Sequence, residues 1–420
     1  MRYTVAITAL LGVAALGGGA FAQTEINVLR VSTNDEQKAY YEEIAEAFEA
    51  QHKDVNVTFE YIANEAYKSK LPTLLQSNAR PDIFYSWGGE TLVDQAEAGF
   101  LQPISSLLPD GFAETIPEAG LKAYSVDGSL YGLPLYATEV VFWTNTELTD
   151  EAGIDLDAIK TWDDFLGAVK TLKDADITPI IVGGQDKWPL HFYWSYLALR
   201  EGGKDIIAQA MAGEDGGFEN AAFVAAGEDF KQLVDLEPFQ PGFMGTTYET
   251  SSGMFADGAG AFYLMGDWDY LPMRERSTSG KGLPDEQLAI VNFPAISSPV
   301  AEGGDAATLG GINGWAVTHS AEPAAVEFLA FMLSAENQRK GARQQLFIPI
   351  VKGTDDALDN PFYARVSKDI SNSSYHQIFL DQFLGASVGA TVNDISADLA
   401  QGVISPEEAA AMVQEAWSFR

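Results

Sequence analysis

The chain has 420 residues, 25 basic against 60 acidic for a formal charge of −35, with 46% hydrophobic and 20% charged residues. That composition excludes low-hydrophobicity disorder, and the length suits two lobes that each bury a core of their own. So acidic a chain is repelled by nucleic acid and by anionic membrane surfaces, and no basic run offsets the field, so neither is an expected partner.

The first 22 residues read as a leader rather than as structure. Arg2 supplies a positive start, Val5 to Leu16 an apolar stretch, and Ala20-Phe21-Ala22 a small-x-small site cut before Gln23. The apolar stretch is shorter than the roughly 20 residues a membrane span needs, and Gly17-Gly18-Gly19 breaks it. The expectation is an exported, periplasmic, soluble mature protein with no direct membrane insertion. There is no cysteine, hence no disulfide framework, thiolate metal site or lipidated N-terminal Cys. Attachment to a membrane would then need a protein partner.

After the leader, strand and helix patterns alternate, which predicts α/β lobes with mainly parallel sheets flanked by helices. Ile26 to Val31 reads as a strand. Thr33 and Glu36 have the spacing of a capping box, and Tyr40, Ile44 and Phe48 lie four apart on one helical face. Val55, Val57, Phe59 and Tyr61 alternate as a one-sided strand. Asp82 to Trp87 reads as a third strand running into Gly88-Gly89, followed by a helix over Thr91 to Ala98 that Gly99 closes. The apolar run Tyr136 to Trp143 is the expected first crossing between lobes. Thr161-Trp162-Asp163-Asp164 opens another boxed helix, Ile177 to Val182 reads as a strand, and Trp188-Pro189 starts a helix. Ala321 to Leu333 is helical by composition, and Ser405-Pro406-Glu407-Glu408 caps the last helix.

In open parallel α/β sheets ligands bind beyond the carboxyl ends of the strands, which directs attention to the turns. These hold Asn34 and Asp35, Ser86-Trp87-Gly88-Gly89, Gly184 to Trp188 with Asp186, Gly266-Asp267-Trp268, and Gly310-Gly311-Ile312-Asn313-Gly314-Trp315. Four of the eight tryptophans fall there. An indole can stack on the apolar face of a pyranose while neighbouring amides and carboxylates take its hydroxyls. Trp87, Trp188, Trp268 and Trp315 could equally plug the tops of strands, and Asn34 and Asp35 could serve only as caps. Glu139 interrupts an apolar strand and so needs a partner, either a ligand hydroxyl or a basic side chain. Asp381, within Ile378 to Phe383, is placed similarly, although a helix surface would also accommodate it.

Enzymatic signatures are thin. The four histidines are scattered without HExxH spacing, and no Walker or GxGxxG sequence occurs in the mature chain. No catalytic residue, metal site or cofactor is assigned.

Several ordered segments carry a family likeness. They are Tyr41 to Tyr61, Arg80-Pro81-Asp82-Ile83, Ala98 to Ile104, Gly132 to Tyr136, Phe142-Trp143-Thr144-Asn145, Thr161 to Phe165, and Phe255 to Phe262 followed by Met265-Gly266-Asp267-Trp268. Near the end come Gly310-Gly311, Ser334 to Gln338 and Ile348-Pro349-Ile350. In this order and spacing the mature chain resembles the extracellular solute-binding proteins that include maltodextrin-binding protein, the receptors of ABC sugar importers. The resemblance implies a type II periplasmic binding fold, with one lobe at about 23–138 plus 290–342, the other at about 139–289 plus 343–420, and hinge crossovers between them. It implies a monomer that takes a carbohydrate, such as a di- or oligosaccharide or glycoside, into the cleft and signals an ABC permease by closing. Within it, Asn34-Asp35 matches a polar ligand-contacting turn, Glu139 an acidic position by the first hinge, Trp268 the aromatic after the Gly-x-Trp turn, and Trp87, Asp186 and Trp188 positions of the oligosaccharide branch. A polyol, a polyamine or a secreted glycoside-active enzyme are the competing readings. A polyamine receptor would need carboxylates clustered with aromatics as a cage.

Overall fold

A computed structural model describes residues 23–296 and 302–420, and the leader assigned to residues 1–22 lies outside them. The first strand, β1 (Thr24–Val31), feeds α1 (Asp35–Gln51), which buries Tyr40, Ile44 and Phe48 on one face as their spacing predicts. Its N-cap is Asn34 rather than Thr33: Asn34 Oδ1 accepts from the Gln37 amide at 2.8 Å, and the Thr33 hydroxyl turns instead to the Gln37 side chain. Next come β2 (Val55–Ile62), α2 (Asn64–Leu75), β3 (Ile83–Ser86) and α3 (Gly89–Glu97). Gly99 follows α3 with φ 75°, the left-handed conformation its place at the helix end requires.

The predicted crossing is one 14-residue strand, β4 (Gly132–Asn145). It is followed by α4 (Trp162–Asp174), boxed by Thr161 and Asp164, and α5 (Trp188–Gly202), with proline in its first turn. Ile177 to Val182, buried from Pro179 onward, does not form a strand; among these residues only Ile180 makes isolated bridges, to Phe239 and Phe262. The remaining elements used below are α6 (Tyr248–Ala256), β5 (Phe262–Gly266), β6 (Leu288–Val291), β7 (Thr308–Val317), α7 (Pro323–Met332), β8 (Ile348–Pro349), β9 (His376–Ile378), α8 (Leu380–Phe383) and α9 (Pro406–Ser418). Ser405 and Glu408 close a capping box on α9 as read from sequence.

The main sheet runs β8-β4-β7-β3-β1-β2, with β5 and β6 also paired to β4 and β9 to β7. Strands β1, β2 and β3 are parallel, as their βαβ connections demand. The α/β architecture is the expected one, but the long strands make the sheet mixed: β4 runs antiparallel to β7, β5, β6 and β8, and β7 antiparallel to β3. Such pairings arise where the chain returns across the molecule instead of winding round it.

Two apolar cores result. One gathers β1–β3, α1, α2 and α7 around residues such as Tyr41, Phe84, Leu133 and Trp315; the other gathers α4–α6 and β5 around Phe142, Trp143, Tyr193 and Phe262. Strand β4 belongs to both, placing Leu133, Leu135 and Tyr136 in the first and Val140 to Trp143 in the second. The end of β6 (Val291), the start of β7 (Leu309) and, between them, Phe293 and Ala307 enter the second core.

Candidate functional site

Where β4 passes from one core to the other, a cleft of about 410 Å³ opens, lined by side chains of both. On the first side β1 ends in Arg30 and the turn Ser32 to Asn34, α2 contributes Asn64 and Lys68, and β3 ends in Tyr85 and Trp87. Arg30 is buried and donates to the Val31 carbonyl (2.8 Å), Gln37 Oε1 (3.1 Å) and the Tyr41 hydroxyl (3.2 Å). Its guanidinium lies 4.7 Å from the Tyr41 ring centre and 5.2 Å from that of Tyr85, and it has no carboxylate partner among the described residues. Tyr85 and Tyr136 share a hydroxyl–hydroxyl bond of 2.7 Å across the cleft floor.

On the second side, the first turn of α5 places Trp188, His191 and Phe192 on one face, as spacings of three and four allow. Trp268, half-buried, stands edge-on to Phe379 with ring centres 5.5 Å apart and to Phe192 at 6.3 Å. Gly266 permits this, since an added Cβ there would overlap the Trp268 ring. Asp267 is buried, its Oδ1 accepting from the Glu139 amide at 2.7 Å while its Oδ2 has no partner among the described residues. Burial pushes this carboxyl up from 3.8 to about 7, against the pull of backbone amides of Glu139 and of Asp267 itself. Asn313 Oδ1 and Trp188 Nε1 are likewise buried and unpaired among the described residues. The cleft is thus an apolar, aromatic hollow with a few polar atoms left to satisfy.

Of the residues singled out from sequence, Asn34, Trp87, Trp188, Asp267, Trp268, Asn313 and Asp381 come together on this cleft. Asp35, Glu139, Asp186 and Trp315 do not line it. Asp35 points to solvent and pairs with Lys38 at 2.9 Å. Glu139 is buried beside the cleft, on the opposite face of β4 from Tyr136 and Thr138, with Oε2 unpaired among the described residues. Burial and the neighbouring carboxylates Asp369 and Asp267 raise its pKa well above the usual range. Asp186 accepts the Tyr248 amide at 2.7 Å and so anchors the first turn of α6. Trp315 lies wholly in the first core, edge-on to Tyr41 (5.7 Å) and Tyr85 (6.0 Å). Its segment, read as a glycine-rich turn, is strand β7. Gly310 and Gly314 are there because a Cβ would strike the backbone carbonyls of Thr138 and Leu133 on β4.

Sequence reading missed Arg30, Lys68, Tyr85, Tyr136, His191 and Phe379. The i+3 spacing of His191 from Trp188 and the position of Phe379 two before Asp381 were usable signals; nothing in the helical run around Lys68 marks it out. Among the described residues, no group of three or more His, Asp or Glu is placed to hold a metal ion, and no helix is long and apolar enough to cross a membrane.

With this geometry in place, residues 32–339 match the family model of the bacterial extracellular solute-binding protein. The chain belongs to this family. An uncharacterised ABC transporter extracellular-binding protein of Pyrococcus horikoshii is 23% identical over 248 residues, 58% of this chain and 56% of that one. The chain thus spans just over half the length of that relative. The melibiose/raffinose/stachyose-binding protein of Bacillus subtilis is 21% identical over 408 residues, 92% of this chain and 88% of its own. Among solved structures, a chitin oligosaccharide binding protein superposes with TM-score 0.84 at 23% identity, covering 94% of this chain and 98% of that chain. That likeness bears on the fold, which is the α/β fold of periplasmic binding proteins.

Proposed function

We propose that this solute-binding protein is the carbohydrate receptor of an ABC importer, exported with removal of residues 1–22, and that it delivers a di- or oligosaccharide or glycoside to its permease by closing around it. The observation that carries the reading is the convergence, on one cleft, of Trp188, Trp268 and Phe379 with the unpaired buried atoms Asp267 Oδ2, Asn313 Oδ1 and Trp188 Nε1. Rings accept the apolar face of a sugar, and stranded polar atoms gain from the hydroxyls around its rim. The named relatives that bind melibiose, raffinose, stachyose and chitin oligosaccharide support the same class.

We read the two lobes from the two cores, which moves the stretch 290–309, expected from sequence in the first lobe, to the second: the first crossing is then at about 137–139 in β4, the second at about 310–314 in β7, and the third just beyond Val351. A ligand that touches both walls favours the closed form by the contacts it gains there; one held equally in both forms shifts nothing. The mature protein is tested by thermal shift against mono-, di- and oligosaccharides, polyols and polyamines. A rise in melting temperature with a saccharide, and no release of reducing ends, is the expected result. A response to amines alone, or turnover of the sugar, overturns it.

A further inference from the structure

Lys68, on α2 in the first lobe, reaches into a group of side chains drawn from both sides of the cleft. Its ammonium lies 5.7 Å from the ring centre of Trp87 and 5.8 Å from that of Trp188. It also stands 3.6 Å from Oδ2 of Asp381 on α8. Asp381 is buried, and burial alone would raise its pKa; the charges of Lys68 and His191 and the amides of Gln382 and Asn393 outweigh that and hold the carboxyl below its usual value. His191 Nδ1 faces the Trp188 carbonyl at 2.6 Å, and its Nε2, 4.0 Å from Asp381 Oδ1, has no hydrogen-bond partner among the described residues. Two indole faces and a carboxylate around one ammonium, with an imidazole beside the carboxylate, are the parts of an ammonium cage. The chain's own lysine is the cation in it.

The parts come from both lobes. Trp87 packs against both cores, while Trp188 and α8 belong to the second. Close by, Thr91 donates to the Gln382 carbonyl at 3.2 Å, and Gly89 lies so near Phe383 and Gln382 that no Cβ fits between them. We propose that Lys68 is an internal ligand that clasps the two lobes in the absence of solute, and that by filling the cage it keeps the cleft from accepting ammonium compounds. The clasp rests on the two-lobe reading of the cleft and is independent of which solute the cleft takes. A solute then has to match or replace the clasp contacts, so Lys68 weights the open and closed populations on which signalling depends.

The test uses the full mature chain without added sugar. Because it has no cysteine, Ser69→Cys and Ser387→Cys, both exposed and one in each lobe, give a single pair of spin-label sites for distance measurement by pulsed electron resonance. Lys68→Met and Asp381→Asn are each expected to move the distribution to longer separations, with the double variant no further displaced than either single one. Lys68→Arg, which keeps charge and ring contact, retains the short separation. Raising salt lengthens the distance in the parent protein and not in Lys68→Met. A gain in melting temperature with tetramethylammonium, absent from the parent and present in Lys68→Ala, reports the emptied cage. Unchanged distances in Lys68→Met, additive shifts in the double variant, or a parent distribution indifferent to salt each overturn the proposal. The salt titration needs no substitution beyond the two label sites and decides the matter even if a variant at Lys68 or Asp381 folds poorly. Failure of the sugar reading would leave these distances as they are.

Discussion

The wall of the cleft formed by β1, α2, β3 and the start of β4 presents two cations, Arg30 and Lys68, and no carboxylate. The facing wall carries four acids, Glu249, Asp267, Glu275 and Asp381, and its Arg276 is engaged by the buried Asp269 at 3.0 Å. The walls also differ in what is left free. On the first, Arg30 spends both terminal nitrogens on its own lobe and leaves only Nε unpaired among the described residues, and Trp87, also half-buried, is held edge-on by Tyr67 at 5.7 Å and Tyr85 at 5.1 Å. On the second, Asp267 Oδ2 and Trp188 Nε1 lack partners among the described residues, and Trp268 is half-buried. On the proposed reading, recognition belongs chiefly to the second wall, and the first completes the enclosure with complementary charge.

Removing rings from each wall would break that comparison most directly. Trp268→Ala is expected to weaken binding of the identified sugar by on the order of 2 kcal/mol or more, about 30-fold, in calorimetry. Trp87→Ala is expected to cost less, because Trp87 spends its edges on its own lobe. Equal losses would mean that the walls share recognition evenly. Gly266→Ala asks the same question without deleting the ring. Its Cβ displaces the Trp268 indole from its place against Phe379, so affinity falls toward that of Trp268→Ala while Trp268 remains in the chain.

The polar half of the comparison turns on Asp267. A folded-state pKa raised to about 7 from 3.8 means that ionisation is resisted in the ligand-free protein. Stability from this group is fully present below about pH 4 and declines as pH rises to about 7, beyond which it is flat. A sugar hydroxyl donating to Oδ2 favours the ionised form. Affinity should therefore rise with pH up to about 7, by at most about tenfold per unit, and level off above. Asp267→Asn is expected to flatten that slope and to weaken binding at pH 8. Calorimetry across pH 5 to 8 that shows a slope unchanged by the substitution would remove Asp267 from the contact set.

How far the chain announces all this can be traced residue by residue. The elements with local signals were legible: alternation in Val55 to Tyr61, the 3.6-residue face of α1, and the boxes at Thr161 and Ser405 all depend on neighbours within one or two turns. Trp188 and Trp268 were legible as cleft residues because each sits beside a helix start or a small-residue turn, although the strand expected before Trp188 does not form. Trp315 was not, because Gly310 and Gly314 exist for the close approach of β4, a partner nearly 180 residues away in sequence. Arg30 and Lys68 gave no sign for the same reason. An arginine in a strand and a lysine in a helix acquire meaning only from the tyrosines, indoles and carboxylate that the fold brings to them.

The smallest effects separate structural from recognition roles at two helix starts of the same design. Asn34 caps α1 through Oδ1, and Thr161 caps α4 through its hydroxyl with Asp164 closing the box. Loss of either cap is expected to cost about 1 kcal/mol of stability, read as a fall in melting temperature of a few degrees. Asn34 lines the cleft, and with its oxygen spent on the cap, its amide NH2 is the group left to donate to a solute. Thr161 opens a helix of the second lobe and does not line the cleft. Asn34→Ala should therefore lower both stability and sugar affinity, whereas Thr161→Ala should lower stability by the same amount with affinity unchanged. Asn34→Asp sharpens the contrast further. It preserves the cap, and the charge near the helix N-terminus is favourable, but the donor is gone, so stability should hold while affinity falls. If Asn34→Asp binds as well as the parent, Asn34 is a cap and nothing more, and the first wall's share in recognition shrinks to its rings and cations.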